Sequence, residues 1–147
     1  PDQITQLAEV CDDAERLGIP VLAMAYARGP GVDEHDAENL GHAVRLAEEV
    51  GADVVKTAYS GSRESFERVV ESTAKPVIIA GGNPDGDRET LQNVRDAMDA
   101  GAAGVSMGRS IFQHDDPEAM TRAVRLVVHE DADAEEALRE SGLAVEA

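Results

Sequence analysis

Apolar and polar positions follow two periods along this chain, and segments of the two kinds alternate. Apolar residues spaced three to four apart predict helices over residues 3–17, 36–50, 62–72, 87–100, 117–130 and 133–141. Short continuous apolar runs predict buried strands over residues 19–27, 52–58, 75–82 and 102–109. Asp36 and Asp116 are suited to cap helices, and Gly18, Gly51 and Gly101 are suited to end them.

Each predicted strand is followed by a predicted helix, which indicates parallel βαβ units. The strand runs are apolar throughout, so we expect both faces of the sheet to be buried. Two architectures fit this pattern. One is a small open doubly wound sheet, and the other is part of a (β/α)8 barrel, which needs about 250 residues when complete. The pattern alone leaves both open.

Composition restricts the partners of the chain. Its 147 residues are 42% hydrophobic and 29% charged, which is typical of a globular domain. A formal net charge of −17 argues against nucleic acid and against an anionic membrane surface. Lysine is rare, and the acids are spread along the chain, which is typical of a strongly hydrated surface suited to high salt. An ordinary acidic protein is the alternative.

Cys11 is the only cysteine, so the chain has no internal disulfide and we expect a cytoplasmic setting. No apolar run approaches the roughly 18 residues of a membrane span, and no signal segment opens the chain. The chain begins with Pro1 and not with methionine, which suggests a processed chain or a fragment.

Lys56 lies inside the apolar run "ADVVKTA", near a strand end, where both architectures gather functional residues. A buried ammonium is costly, burial lowers the pKa of a lysine, and a neutral amine can form a Schiff base with a carbonyl. Alternatively, Lys56 reaches solvent along its aliphatic stem or pairs with Asp53. Strand context alone leaves these interpretations open.

Tyr26 and Arg28 end the first predicted strand. A phenol beside an imine-forming lysine can serve as general acid or base, and Arg28 can bind an anionic substrate. The plainer alternatives are a tyrosine packed at the strand end and an arginine paired with nearby acids.

Glycines end the last two strands: Gly81 and Gly82 follow the third, and Gly108 precedes Arg109 at the end of the fourth. Such glycines let backbone N–H groups approach a phosphate, and barrels often bind phosphate after their last two strands. One Gly-Gly pair is more often just a turn. Two adjacent glycine-bearing strand ends with an arginine favour an anion site.

Metal ligands are poorly represented. His114, Asp115 and Asp116 adjoin one another, but Asp116 already suits a helix cap, and no zinc-type spacing occurs. We therefore predict no metal site. The remaining histidines lie among polar residues and are predicted to be solvated: His35, His42 and His129.

The strand ends together resemble the archaeal-type class I (Schiff-base) aldolase family. The matching segments run in order through nearly the whole chain: "PVLAMAYARG", "GADVVKTAYSG", "SFERVVE", "PVIIAGG", "DAMDAGAAGVSMGRSIFQHDDP" and "AVRLVVHED". The family includes class I fructose-bisphosphate aldolases and 2-amino-3,7-dideoxy-D-threo-hept-6-ulosonate synthase. The run "GRSIFQHDDP" with "VKTAYSG" is closer to the synthase branch.

This resemblance implies that residues 1–147 form a single partial domain, the C-terminal half of a (β/α)8 barrel with strands five to eight. Lys56 corresponds to the family's Schiff-base lysine and Tyr26 to its proton-transferring tyrosine. The family's phosphate site corresponds to Gly81, Gly82, Gly108 and Arg109. An aspartate near the first strand end also takes part in the family, and no residue of this chain corresponds to it.

The implied activity is that of an aldolase or transaldolase acting on a phosphorylated ketose, with no cofactor and no metal. The resemblance also implies a homo-oligomer in the full-length protein. Two alternatives are a lysine-dependent acyl transferase on the same scaffold and a non-catalytic, phosphate-binding half-barrel.

Overall fold

The computed structural model describes residues 2–81 and 86–143. Helices and strands alternate along them: α1 (Asp2–Leu17), β1 (Leu22–Met24), α2 (Ala37–Glu49), β2 (Val54–Thr57), α3 (Arg63–Glu71), β3 (Val77–Ala80), α4 (Asp87–Asp99), β4 (Gly104–Ser106), α5 (Arg109–Phe112), α6 (Pro117–Glu130) and α7 (Ala134–Ser141).

The four strands form one parallel sheet in the order β1-β2-β3-β4, so neighbours along the chain are also neighbours in space. Parallel crossovers are almost always right-handed, and strands added in one direction therefore place their connecting helices on one face. A doubly wound sheet instead reverses its direction and covers both faces. The observed order is that of half a (β/α)8 barrel, as the resemblance implied.

Burial differs sharply between the two faces of the sheet. The helix-covered face is closed by buried side chains: Ala23, Val55, Thr57, Val77 and Ile79. The strand register places the alternating residues on the other face, here called the open face: Leu22, Met24, Val54, Lys56, Ile78, Ala80, Gly104 and Ser106. Met24 is 68% exposed there. The expectation of burial on both faces is therefore wrong, because the helices cover only one.

The hydrophobic core lies between the covered face and the helices. Its largest fully buried side chains include Leu40, Phe66, Leu91, Met120 and Leu138, and burying one such side chain is worth about 1.5–3 kcal/mol. By contrast, α1 buries only Cys11, although its apolar spacing predicts a longer buried stripe. No helix within the described ranges is long and apolar enough to cross a membrane.

Most predicted boundaries are confirmed by local contacts. The Asp36 carboxylate accepts hydrogen bonds from the Glu38 and Asn39 N–H groups at the start of α2. Asp116 accepts from the Ala119 N–H, with Pro117 in the first turn of α6. The strands are shorter than their apolar runs, since pairing stops where the loops begin. The sequence pattern did not predict α5, because a four-residue helix is too short to show a helical period.

Candidate active site

A cleft of about 490 Å³ lies at the carboxyl ends of the strands, and is here called the carboxyl-end cleft. Its lining includes four of the sequence-predicted site residues: Tyr26, Arg28, Gly81 and Arg109. Lys56 and Gly108 are not part of that lining. Gly82 lies outside the described residues, so its predicted role has no structural counterpart here.

Lys56 lies on the open face, in the middle of the sheet. Its side chain is half-buried, and Nζ donates a hydrogen bond to Ser106 Oγ at 3.3 Å. The suggested pairing with Asp53 does not occur, because the Asp53 carboxylate accepts from the Val21 N–H at the opposite end of β2. Within residues 2–81 and 86–143, no carboxylate forms an ion pair with Lys56. The side-chain nitrogen of Lys56 is therefore held by a neutral partner.

Tyr26 follows the end of β1, next to the strand that carries Lys56. The Arg28 guanidinium lies over the Tyr26 ring, with 5.0 Å between Cζ and the ring centroid. Arg28 also pairs with Glu34 through Nε at 3.4 Å. Both of the plainer alternatives from the sequence are therefore observed. The Tyr26 ring is packed under Arg28, and Arg28 pairs with an acidic neighbour. An exposed ion pair of this kind contributes at most about 1 kcal/mol, so Arg28 can exchange Glu34 for another anion.

His35 joins two loops at the rim of the carboxyl-end cleft. Its Nδ1 lies 2.9 Å from the Tyr59 carbonyl oxygen, which can only accept, so Nδ1 carries the proton. The expectation of a purely solvated His35 is therefore incomplete. Tyr59 in turn donates its hydroxyl to Asp96 at 3.4 Å and packs on Phe66. Burial, reinforced by the Asp96 charge, raises the pKa of the Tyr59 phenol.

Gly81 occupies a position where a side chain would be crowded. A Cβ there would lie 3.0 Å from Ser110 Oγ and 3.1 Å from Met107 Cβ. The buried Ser110 hydroxyl donates to the Gly81 carbonyl at 3.0 Å, which ties the end of β3 to α5. The glycine thus serves the close approach of two strand ends.

The short helix α5 begins at Arg109, directly after Gly108 and the end of β4. The first N–H groups of a helix lack partners within it. Arg109 is exposed, and among the described residues it has no carboxylate partner. A short extra helix after the last strand is a common part of barrel phosphate sites. This guanidinium is available to an anion in the carboxyl-end cleft.

The cluster around His114 is structural. The Asp116 N–H donates to His114 Nδ1 at 2.9 Å, so Nδ1 is unprotonated, and Nε2 lies 3.0 Å from Asp87 Oδ1. Asp116 caps α6, as predicted. In the part of the chain that the structure describes, no group of three His, Cys, Asp or Glu side chains is arranged to hold a metal ion.

Sequence reasoning missed two residues of this region, Ser106 and His35. Ser106 lies two strands from Lys56, and only the register β2-β3-β4 shows that the two share a face. The alternation of β4 could have suggested it, because Ser106 is the only hydroxyl in that short strand. The bond of His35 to a backbone carbonyl of another loop leaves no trace in the sequence.

Comparison with known proteins identifies the family. Residues 1–114 match the sequence profile of the DeoC/LacD family of aldolases. The 2-amino-3,7-dideoxy-D-threo-hept-6-ulosonate synthase of Halobacterium salinarum is 77% identical over 147 residues, which make up 100% of this chain and 56% of that protein. The 2-amino-4,5-dihydroxy-6-oxo-7-(phosphonooxy)heptanoate synthase of Streptomyces griseus is 41% identical over 86% of this chain and 47% of that protein. The chain thus spans about half the length of these relatives.

Solved structures give the same result. An archaeal fructose 1,6-bisphosphate aldolase superposes with a TM-score of 0.82 and 31% identity, over 86% of this chain and 52% of that one. Another archaeal aldolase structure has its catalytic lysine covalently bound to the carbinolamine intermediate of its substrate. It superposes with a TM-score of 0.81 and 30% identity, over 85% of this chain and 51% of that one.

These matches confirm the half-barrel fold and the predicted resemblance. The acid-rich, lysine-poor composition also agrees with a relative from Halobacterium salinarum. Since the family profile covers residues 1–114 of the 147, the chain belongs to the DeoC/LacD aldolase family.

Proposed function

We propose that the protein carrying this chain is a Schiff-base aldolase or transaldolase that acts on a phosphorylated ketose, with Lys56 as its nucleophile. The observation that carries the proposal is the setting of Lys56. It is half-buried on the open face of the sheet, and among the described residues it contacts a hydroxyl and no carboxylate. A lysine amine on an uncovered face of the sheet can reach a ketose carbonyl and form an imine with it.

The chemistry follows from the amine. Lys56 Nζ adds to the ketose carbonyl, whose oxygen takes up a proton, and the carbinolamine then loses water to give a protonated imine. A general base takes the proton of the hydroxyl on the carbon β to the imine carbon, and the bond between the α and β carbons breaks. Its electron pair passes to the protonated imine, so an aldehyde leaves and an enamine remains. The enamine is then protonated, as in an aldolase, or adds to a second aldehyde, as in a transaldolase. Water finally releases Lys56.

Tyr26 is the proposed proton carrier of these steps. Its phenol adjoins the carboxyl end of β1, and β1 pairs with the strand of Lys56. Proton transfer by a positioned side chain contributes typically 10²–10⁴-fold to a rate. The Arg28 guanidinium over its ring keeps a positive charge near the phenol.

The phosphate is proposed to bind at the carboxyl-end cleft, which Gly81 and Arg109 line and which Gly108 adjoins as the residue before Arg109. Two features support this: the close contact between Gly81, at the end of β3, and α5, and the Arg109 guanidinium, which has no carboxylate partner among the described residues. Gly82 completes the site in the family. A guanidinium binds phosphate through charge-assisted hydrogen bonds.

The finer assignment follows the relatives. The 77% identical protein is named 2-amino-3,7-dideoxy-D-threo-hept-6-ulosonate synthase, which supports that synthase reaction, and with it a role in aromatic amino acid biosynthesis, over fructose-bisphosphate cleavage. We also expect the full-length protein to be cytoplasmic and to form a homo-oligomer. Light scattering of that protein tests its oligomeric state. An acidic surface leaves a phosphorylated small molecule, and not nucleic acid or a membrane, as the partner.

Reductive trapping tests the proposal. The full-length protein is incubated with dihydroxyacetone phosphate, a small ketose phosphate, and reduced with borohydride, which converts an imine to a stable secondary amine. Trypsin cannot cleave after a modified lysine, so an adduct on Lys56 joins the peptides on either side and gives a product spanning residues 46–63. Lys75, the only other lysine of the chain, is the internal control. An adduct on Lys75 alone, or none, would contradict the proposal.

A further inference from the structure

Resting on this proposed function, we propose that Ser106 is a positioning residue that holds the Lys56 amine for attack on the ketose. The strand register carries the first part of the argument. Lys56 pairs with Ile78 on β3, and Ile78 pairs with Gly104 on β4. Ser106 is two residues beyond Gly104 and therefore lies on the same open face. Its hydroxyl reaches Lys56 Nζ across the apolar Ile78, at 3.3 Å.

The chemistry of the partner carries the second part. A carboxylate at this place would favour the ammonium form and oppose attack. A hydroxyl oxygen accepts a hydrogen bond from the ammonium and from the neutral amine alike. By holding one N–H, Ser106 directs the amine lone pair away from β4, so that it is free for the ketose carbonyl. Within the described residues, the Ser106 hydroxyl makes no other hydrogen bond, so the contact with Lys56 is what its hydroxyl provides.

The test compares Ser106→Ala, Ser106→Cys and Ser106→Thr in the full-length protein by the rate of borohydride-trapped adduct at Lys56. We expect Ser106→Ala to form the adduct about tenfold more slowly at saturating dihydroxyacetone phosphate, the loss typical of one hydrogen bond. The half-saturating concentration stays unchanged, because the phosphate contacts remain. Ser106→Cys, a weak acceptor of similar size, is expected to be similarly slow, and Ser106→Thr is expected to restore the rate.

The control is Ser72→Ala, which removes a hydroxyl that donates to the Arg68 carbonyl on α3 and leaves the adduct rate unchanged. Equal rates in wild type and Ser106→Ala would overturn the inference. So would a Ser106→Thr variant as slow as Ser106→Ala, because the effect would then come from packing. If Ser106→Ala fails to fold, the adduct rates of Ser106→Cys and Ser106→Thr are compared instead and test the same inference.

A second measurement separates this inference from the proposed function. The lysines of the full-length protein are reductively methylated with ¹³C-formaldehyde, which needs no active site, and the methyl signals of Lys56 and Lys75 are recorded by NMR. A Lys56 amine held by Ser106 gives a signal that moves on substitution of Ser106 by Ala or Cys, while the Lys75 signal stays. A Lys56 signal that does not move overturns the inference even where the adduct forms. A moving signal without any wild-type adduct overturns the proposed function and leaves the contact standing.

Discussion

Two clefts of almost equal size lie at opposite ends of this sheet. The carboxyl-end cleft measures about 490 Å³. The other measures about 470 Å³ and is here called the amino-end cleft. It lies where the strands begin, and is lined by Cys11, Asp12, Glu15, Gly18, Ile19, Pro20, Gly51, Asp53 and Lys75. Their volumes do not tell which of them suits a sugar phosphate.

Charge does distinguish them. In the amino-end cleft, one ammonium faces three carboxylates, those of Asp12, Glu15 and Asp53. The thiol of Cys11 shows the effect: burial raises its pKa, and the charges of Asp53 and Asp12 raise it further. In the carboxyl-end cleft two guanidiniums balance the carboxylates of Glu34 and Glu89. Only the latter cleft can accept a phosphate without strong repulsion.

The difference has its origin in the βα repeat. Every strand that runs into a helix brings the helix N-terminus to the carboxyl end of the sheet and the helix C-terminus to the amino end. Helix N-termini carry partial positive charge and C-termini partial negative charge. The backbone therefore favours anions at one end only, and the side chains reinforce this bias. The two lysines of the chain provide the most direct comparison of the two ends.

The largest effect is expected from exchanging these lysines in turn. Lys56→Arg keeps a positive charge but removes an amine that can form an imine, so turnover by the full-length protein should fall by at least about 10³-fold. Lys75→Arg makes the same chemical change at the amino-end cleft and should leave turnover within about twofold. A steady-state assay of C–C bond formation or cleavage measures both. Equal losses would show that the two ends are not functionally distinct.

The two tyrosines come next, since the chain has no others. Tyr26→Phe keeps the ring under Arg28 but removes the proposed proton carrier, so turnover should fall about 10²-fold, while the trapped adduct on Lys56 persists. Tyr59→Phe removes a hydroxyl whose pKa is raised by burial and by Asp96, and which is poorly suited to give up its proton. Tyr59→Phe should lower Tm, and it should lower turnover less than Tyr26→Phe does. The reverse ranking would assign proton transfer to Tyr59.

Arg109→Gln is expected to raise the half-saturating concentration of the ketose phosphate about 10-fold or more, as one charge-assisted hydrogen bond is lost. Arg68→Gln removes the same charge from an exposed position on α3, outside the carboxyl-end cleft, and should change nothing. Titration with inorganic phosphate at two salt concentrations gives the readout, since the Arg109 contribution weakens as salt rises. Equal effects of both substitutions would mean a general charge effect.

Much of the fold was predictable, because its signals are local. Apolar spacing together with Asp36 and Asp116 gave the helices and their starts, and the caps are made as predicted. The open face was not predictable in the same way. A strand such as "VVKT" places one valine and one polar residue on each face, so its pattern cannot show that one face of this chain is uncovered.

The candidate site could be predicted from the sequence where its residues follow the ends of predicted strands. Tyr26, Arg28, Gly81 and Arg109 do line one cleft. The contacts that set their chemistry join residues far apart in sequence: Lys56 with Ser106, and His35 with the Tyr59 carbonyl. These depend on strand register and on loop paths, which no local pattern specifies. A single sequence therefore gives the candidate nucleophile and not its partner.

The smallest effect concerns stability at the amino end, near Lys75. Glu48 on α2 accepts hydrogen bonds from the Thr73 hydroxyl at 2.7 Å and the Ala74 N–H at 3.2 Å. The Thr73 bond first, and the Ala74 bond second, lower the pKa of the Glu48 carboxyl. A carboxyl with a lowered folded pKa stabilises the fold above its unfolded pKa, about 4.3, and this stabilisation is lost as pH falls through the folded value.

Thr73→Val should therefore lower Tm by about 2–4 °C at pH 7, and the difference from wild type should shrink steadily below about pH 4. Thr121→Val is the matched control, because its hydroxyl donates to the Pro117 carbonyl, which does not titrate. Its Tm difference should be the same at every pH. Thermal unfolding measured between pH 3 and 7 shows whether each Tm difference changes with pH. A Thr73→Val difference in Tm that is constant with pH would show that Glu48 does not make stability depend on pH. The carboxylates at the amino end of the sheet would then act only by repelling anions.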